Sequence, residues 1–330
     1  MPVLSLEQAE YLVVETLVRC RTAPDNAACV ARALVAAEAD GLKGHGLSRL
    51  PSYAAQAKIG KVDGGAKPVV TRPKASVVAI DAAHGFAFPA IDAALSELPS
   101  VTQTNGVAVA AIRRSHHCGA AGHPVERLSE LGLVAMMFAN TPGAIAPWGG
   151  SKAAFGTNPI AFACPHPGHA PIVIDLSLSK VARGNIMAAK QRGEKIPDGW
   201  ALDEQGQPTT DPDAALRGTM LPLGDAKGTA LALMVELLAA GLTGSNLAAE
   251  ASSFLDDKGP PPGTGQLIVV FDPQAIGGPG VLQRFAVLAS SIEMQPGARL
   301  PGSRRLAARE RARAQGLPVP DALLADIEAI

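Results

Sequence analysis

Apolar residues at Leu6, Ala9, Leu12, Val13 and Leu17 recur at helical spacing, and Ser5 with Gln8 forms a capping box that starts this helix. Pro24 suits a first helical position. Val30, Leu34 and Val35 mark the inner face of a second helix, which should stop near Gly41. A third, short helix is predicted from about Pro51, so residues 1–66 read as a helical segment. The texture then changes. Short β-branched runs at 76–80, 107–112, 134–138, 172–174 and 266–271 alternate with helical stretches near 88–98, 124–131, 179–192 and 227–242. This alternation predicts a mixed α/β core domain over residues 67–280. Residues 281–330 turn helical again and are expected to pack back on the N-terminal helices. There is no internal repeat.

Bulk composition narrows the function. The chain has 330 residues, 47% hydrophobic and 18% charged, with a formal net charge of -1, so nothing favours nucleic acid or an anionic membrane surface as a partner. No apolar run approaches the roughly 20 residues that span a bilayer. The N-terminus lacks a basic stretch followed by an apolar core, so no signal peptide is expected. Cys20, Cys29, Cys118 and Cys164 are scattered without a C-x-x-C pair, which fits reduced thiols and a cytoplasmic location.

The familiar nucleotide signatures fail. No G-x-G-x-x-G follows a strand, and there is no G-x-x-x-x-G-K-[ST] loop or H-E-x-x-H pair. Chemistry concentrates instead in residues 113–159, where Ser115, His116, His117, Cys118 and Gly119 follow an apolar run. Neighbouring side chains diverge in extended backbone and no partner lies at zinc spacing, so a metal is not expected there. A small-residue turn opening onto the helix near 124–131 suits a diphosphate approaching backbone amides. The second notable stretch is 40–49. His45, flanked by glycines, can act as general acid or base, and Arg49 can grip a carboxylate in a bidentate fork. Its plainer reading is a helix C-cap followed by a surface arginine. Ser177 and Lys180 match S-x-x-K, but the companion motifs of the penicillin-recognising hydrolases are missing.

Seven segments, at residues 44–49, 115–119, 140–142, 146–150, 155–159, 175–177 and 300–302, together resemble the malate/L-lactate dehydrogenase family, which has a non-Rossmann nicotinamide-binding fold. The resemblance, rather than the alternation, implies that the sheet is mixed. Residues 179–186 and 190–197 look most like the reductases of Δ1-pyrroline-2-carboxylate and Δ1-piperideine-2-carboxylate. The resemblance implies a homodimer that reduces a small cyclic imino acid to L-proline or L-pipecolate with NADPH, or with NADH. A malate- or lactate-type 2-hydroxyacid dehydrogenase is the alternative. Carried over by position, His45 is the proton donor, Arg49 holds the substrate carboxylate and Thr157 lies against the substrate. The cofactor would run along Ser115, His116, His117, Cys118, Gly119, Asp175, Leu176, Ser177, Lys227, Leu300, Gly302, Arg304 and Arg305, with the two arginines as candidates for a 2′-phosphate. Some imine reductases of the family carry a serine just before the histidine and an aspartate after an Arg-Gly step, forming a relay. Here Gly44 and Asn185 stand at those positions.

Overall fold

The chain, described over residues 1–330 by a computed structural model, gathers its β-branched runs into one seven-stranded sheet. The strands are β1 (Val69–Lys74), β2 (Val77–Asp81), β3 (Val107–Ser115), β4 (Val134–Ala139), β5 (Ile160–Cys164), β6 (Ile172–Leu176) and β7 (Thr264–Phe271), in the spatial order β1-β2-β3-β7-β4-β5-β6. Only β2 and β3 run parallel; every other neighbouring pair is antiparallel. The sheet is therefore mixed, as the resemblance to a non-Rossmann nicotinamide-binding fold implies, whereas strand–helix alternation by itself favours parallel strands.

Three N-terminal helices come first: α1 (Leu6–Arg19), α2 (Pro24–Ala39) and α3 (Leu50–Ile59). The Ser5–Gln8 capping box is formed in both directions. On one face of the sheet, α4 (Ala87–Asn105) and α5 (Gly122–Glu130) cover Ala108, Ala110 and Ile112 of β3 and Ile268 and Val270 of β7. The opposite face, through Phe138 and Leu267, packs against α6 (Arg183–Arg192) and α7 (Ala226–Glu236). With both faces buried, the inner strands are apolar nearly throughout. The chain closes with α8 (Val281–Glu293), α9 (Ser303–Gln315) and α10 (Asp321–Glu328). Ala312, Leu317, Val319 and Ile327 join the apolar cluster of α1–α3, and Val3–Leu4 pairs with Leu317–Pro318. No helix is long and apolar enough to cross a membrane.

Three boundaries depart from the sequence pattern for physical reasons. β1 lies at the sheet edge with all six residues exposed and Pro73 within it, so no buried face marks it in sequence. α4 continues through Pro99, although proline forfeits a backbone hydrogen bond, because Leu98, Val101 and Thr102 on both sides of it are buried. α6 begins at Arg183 rather than near 179. The preceding residues are committed elsewhere, since Lys180 N–H donates to the Leu221 carbonyl and Ser179 Oγ to that of Val181.

Candidate active site

Register places the chemistry-bearing segments along one end of the sheet. Ser115 ending β3 faces Thr264 at the start of β7; Ala139 ending β4 faces Gln266; Ile160 at the start of β5 lies opposite both Phe138 and Leu176. The turns leaving that end carry residues 115–119, 140–141, 157–158 and 175–177. They are stitched together. Thr264 Oγ1 donates to the Ser115 and His116 carbonyls, Gly265 N–H donates to Asn140 Oδ1 (2.8 Å), Thr157 N–H to Thr141 Oγ1 (2.8 Å), and Leu178 N–H to the Thr157 carbonyl (2.8 Å).

Asn158, fully buried with φ of 40°, holds a left-handed conformation uncommon for a non-glycine residue. Its Nδ2 donates to Glu236 Oε2 (2.8 Å) and to the Ala232 carbonyl (3.0 Å). The Glu236 carboxylate also accepts from Ala248 N–H (2.6 Å) and from Asn140 Nδ2 (3.3 Å). This buried acid on an apolar helix thus fixes the backbone on which Thr157 rides.

His45 and Arg49 approach the same end from the N-terminal helices. α2 stops at Ala39, and two short 3-10 turns, Lys43–His45 and Leu47–Arg49, bridge to α3, so His45 sits in a turn rather than on a helix end. The turns are pinned by Glu38, whose carboxylate accepts from Leu47 N–H (3.0 Å); any side chain at Gly46 would collide with it. Arg49 Nε donates to the Gly44 carbonyl (2.6 Å), and its guanidinium meets no carboxylate. A fork anchored on one edge and free on the other is suited to a carboxylate ligand. Burial, then the Arg49 charge, then that of His123, push His45 down to about 4, so its imidazole is neutral near pH 7. Its Nδ1 is buried without a hydrogen-bond partner.

The pair His116–His117 does not form a shared surface. His116 is 1% exposed; its Nε2 bonds Gln56 Oε1 (2.9 Å), and its ring is boxed by Tyr53, Phe86 and Phe254. As a cofactor contact its side chain is ruled out by that enclosure. His117 stacks on His45, with centroids 5.3 Å apart and planes at 14°. Cys118 is buried, and burial pushes its thiol up to about 12. No cluster of three or more His, Cys, Asp or Glu side chains is arranged to hold a metal ion.

Two further expectations need correcting. The N-terminus of α5, read as a diphosphate site, already holds a carboxylate: Gly122 N–H donates to Asp175 Oδ2 (2.7 Å). Arg305 is not free for a phosphate either. Its guanidinium bonds Glu126 (2.6 Å) and Asp40 (2.9 Å), in a cluster completed by Arg309 and by His123, whose Nε2 lies 2.9 Å from Asp40. Neighbouring Arg304 is exposed and makes no ion pair.

What remains does fit a dinucleotide. α7 and α9 both begin without a side-chain cap, and each carries an exposed cation in its first turn, Lys227 and Arg304. Open helix N-termini with a neighbouring cation are anion sites, as a diphosphate or 2′-phosphate requires. Gly302, with φ of 87°, starts α9 beside the Val173 carbonyl of β6, next to the Asp175–Ser177 turn. The 146–150 loop docks on α7 through Trp148 N–H to Thr229 Oγ1 (2.8 Å). Ser115 Oγ, buried at the strand end, has no partner. Ser177 Oγ bonds Ser179 Oγ (3.1 Å), while Lys180 Nζ makes no bond to Ser177 and lies beside Gly199, so no S-x-x-K dyad forms.

A sequence profile of the malate/L-lactate dehydrogenase family matches residues 4–328. This chain belongs to that family. Among its malate/L-lactate dehydrogenase relatives, (2R)-3-sulfolactate dehydrogenase (NADP(+)) of Chromohalobacter salexigens is 52% identical over 326 residues, covering 99% of this chain and 97% of that protein. Δ1-Pyrroline-2-carboxylate reductase of Ancylobacter novellus is 39% identical over 330 residues, covering 99% and 97%. The crystal structure of Δ1-piperideine-2-carboxylate reductase from Pseudomonas syringae superposes with a TM-score of 0.94 at 39% identity, over 100% of this chain and 99% of that one. The protein is therefore an NAD(P)-dependent oxidoreductase of the malate/L-lactate dehydrogenase family.

Motif reading missed Tyr53, Gln56, Glu236 and Phe254. One signal was available: Glu236 is the lone acid in the run from Ala230 to Ala240, and a carboxylate there must be either paired or functional.

Proposed function

We propose that this protein is an NADP-dependent 2-hydroxyacid dehydrogenase that interconverts (2R)-3-sulfolactate and 3-sulfopyruvate. The observation that carries this reading is the unpartnered, buried Nδ1 of His45 beside Gly44. The serine–aspartate relay that marks some imine reductases of the family has no counterpart here, and the 52% identical relative acts on a hydroxy acid. Arg49 takes the substrate carboxylate in its free fork, and Thr157 lies against the substrate. A nicotinamide supplies or accepts the hydride when bound along the backbone of Ser115–Gly119 and Asp175–Ser177, with Lys227 and the Leu300–Arg304 turn beside it. His45 handles the hydroxyl proton. Neutral in the free protein, it is ready as a base for alcohol oxidation. In the reverse direction the two anionic groups of the keto acid draw its proton affinity up, so that it can donate to the nascent alkoxide.

A second reading, reduction of a cyclic imino acid, is favoured by the relatives named for that activity at 37–43% identity. An imine nitrogen can arrive already protonated, so a neutral His45 is no obstacle to it. Initial rates of NADPH loss with 3-sulfopyruvate, Δ1-pyrroline-2-carboxylate, Δ1-piperideine-2-carboxylate, pyruvate and oxaloacetate separate the two. The sulfonated keto acid should give the highest kcat/KM; a faster cyclic imine would replace the first reading by the second.

The active assembly is a homodimer. α7 is apolar nearly all round. Ala232 and Val235 are buried, whereas Leu231, Leu233 and Met234 face solvent, joined beyond the helix by Leu237 and Leu242. A helix of that kind requires a cover on its outer side.

A further inference from the structure

His45 lacks the hydrogen bonds that ordinarily orient a proton-transferring imidazole. Its Nδ1 is buried and unpartnered, and the preceding residue, Gly44, has no side chain to offer. A ring in that situation can swing about its χ angles unless something else sets its plane. What lies against it is the imidazole of His117, near-parallel at 14° and 5.3 Å centroid to centroid.

His117 is itself held from two sides. The Tyr53 hydroxyl lies 2.5 Å from His117 Nδ1, and the Phe254 ring packs on it at 5.2 Å. Tyr53 is fully buried, and burial pushes its phenol well above the usual range, so the hydroxyl keeps its proton. That proton has no other acceptor and is donated to Nδ1, which leaves His117 its own proton on Nε2. The Phe254 side is fastened as well. Gln56 Nε2 donates to the Phe254 carbonyl (2.9 Å), while the buried Lys61 ammonium spends its donors on the carbonyls of Ser253 (2.7 Å), Asp256 (2.9 Å) and Lys258 (2.6 Å).

We propose that His117 is the positioning residue of His45: its imidazole, clamped between the Tyr53 hydroxyl and the Phe254 ring, is the surface that fixes the plane of the His45 ring in place of a serine–aspartate relay. The proposal rests on the acid–base role assigned to His45 above. Charged and titratable groups facing His45 are Arg49 on the following turn, His123 at the start of α5 with its partner Asp40 at the end of α2, and His117 with His116 and Tyr53 behind it. Removing the His117 ring opens that side of His45 to water, while Arg49 and His123 stay in place.

The test uses full-length protein with His117→Ala, His117→Phe and Tyr53→Phe. The first readout is the midpoint of the His45 imidazole titration by NMR, without substrate or cofactor, assigned by the signal lost in His45→Gln. It should lie near 4 in the unmodified protein, move toward the ordinary histidine range in His117→Ala, and stay low in His117→Phe, which keeps an aromatic face. The second readout is kinetics, with whichever keto or imino acid turns over fastest. His117→Ala should lose on the order of 10- to 100-fold in kcat with the KM for NADPH little changed, and His117→Phe should recover most of it. Should His117→Ala fail to fold, Tyr53→Phe, which frees the His117 ring without removing it, is expected to move both readouts in the same direction by less. An unmoved His45 midpoint in both His117→Ala and Tyr53→Phe overturns the proposal, as does a raised NADPH KM at unchanged kcat. A shifted midpoint together with equal losses from His45→Gln and His45→Ala of under twofold would instead overturn the acid–base role of His45 and leave the positioning intact.

Discussion

At the scale of single residues, Arg49 has two separable effects on the reaction. Its free guanidinium edge is the substrate anchor proposed above, and its charge is the second cause, after burial, of the depressed His45. Arg49→Gln should therefore lower kcat/KM by about 2–3 kcal/mol, roughly 30- to 150-fold, as a charged hydrogen-bonded pair is lost. It should also move the acid limb of kcat/KM for hydroxyacid oxidation upward from about 4, because a neutral neighbour no longer opposes the imidazolium. The full pH profile of the variant checks both; a loss of rate with an unmoved limb would separate the anchor from the electrostatics. His45 and Arg49 stand out in the sequence because glycines flank the histidine and the arginine follows four residues on. Arg305 was misread for the opposite reason. An Arg-Arg pair after a glycine looks the same in sequence whether its guanidiniums face solvent or two buried carboxylates, and Asp40 and Glu126 lie 265 and 179 residues upstream.

Among the elements, the decisive joint is where α9 meets the end of α2 and the first turns of α5. Asp40, His123, Glu126, Arg305 and Arg309 form one ion cluster, and Asp40 is fully buried as a side chain. Breaking such a cluster strands a buried charge, so Arg305→Met should cost about 3–5 kcal/mol of stability, read as a lower denaturation midpoint, with the NADPH KM nearly unchanged in the folded protein. Arg304→Ala should do the reverse, raising the KM for NADPH more than that for NADH at unchanged stability. The turns that meet here also set how stability depends on pH. His45, His116 and His117 are all held below the ordinary histidine value, chiefly by burial. The unfolded chain therefore binds more protons than the folded one below about pH 6.5, and stability, complete above that, should fall as pH drops toward 4. Thermal midpoints measured from pH 7.5 to 4.5 test this, and a flat series would contradict the buried, neutral assignment. Periodicity revealed helices α1 and α2, each apolar on one face, and continuous apolar runs revealed the inner strands, which are covered on both faces. It missed β1 and β5, one exposed throughout and the other a short run before Cys164, and it stopped α4 at a proline that tertiary packing overrides.

Over the whole molecule, His45 and Arg49, to which proton transfer and substrate anchoring are assigned by proposal, sit in the turns between α2 and α3, and the groups suited to a dinucleotide lie on the sheet and on α7 and α9, so the proposed site exists only where these layers meet. The apolar outer face of α7 extends this logic to a second copy. Light scattering after gel filtration should give twice the 33.7 kDa chain mass, and Leu233→Glu with Leu237→Glu should shift it toward the monomer. A chain mass in the unmodified protein would remove the dimer. Sequence pattern anticipated that the C-terminal tail returns to the N-terminal helices, since both are amphipathic segments flanking a sheet. The actual closure is a pairing of the two chain ends, Val3 with Pro318 and Leu4 with Leu317, reinforced by the Met1 ammonium at 3.3 Å from Asp321. That pairing has a consequence for how the protein is made. The apolar cluster that holds Val13, Leu17 and Leu34 also takes in Leu317 and Ile327, so it cannot be completed until those much later residues have been synthesised and released. The layer that carries His45 and Arg49 is therefore made before the sheet but completed after it, and in that interval the part of its apolar side that the C-terminal helices will cover is surface that a chaperone can hold.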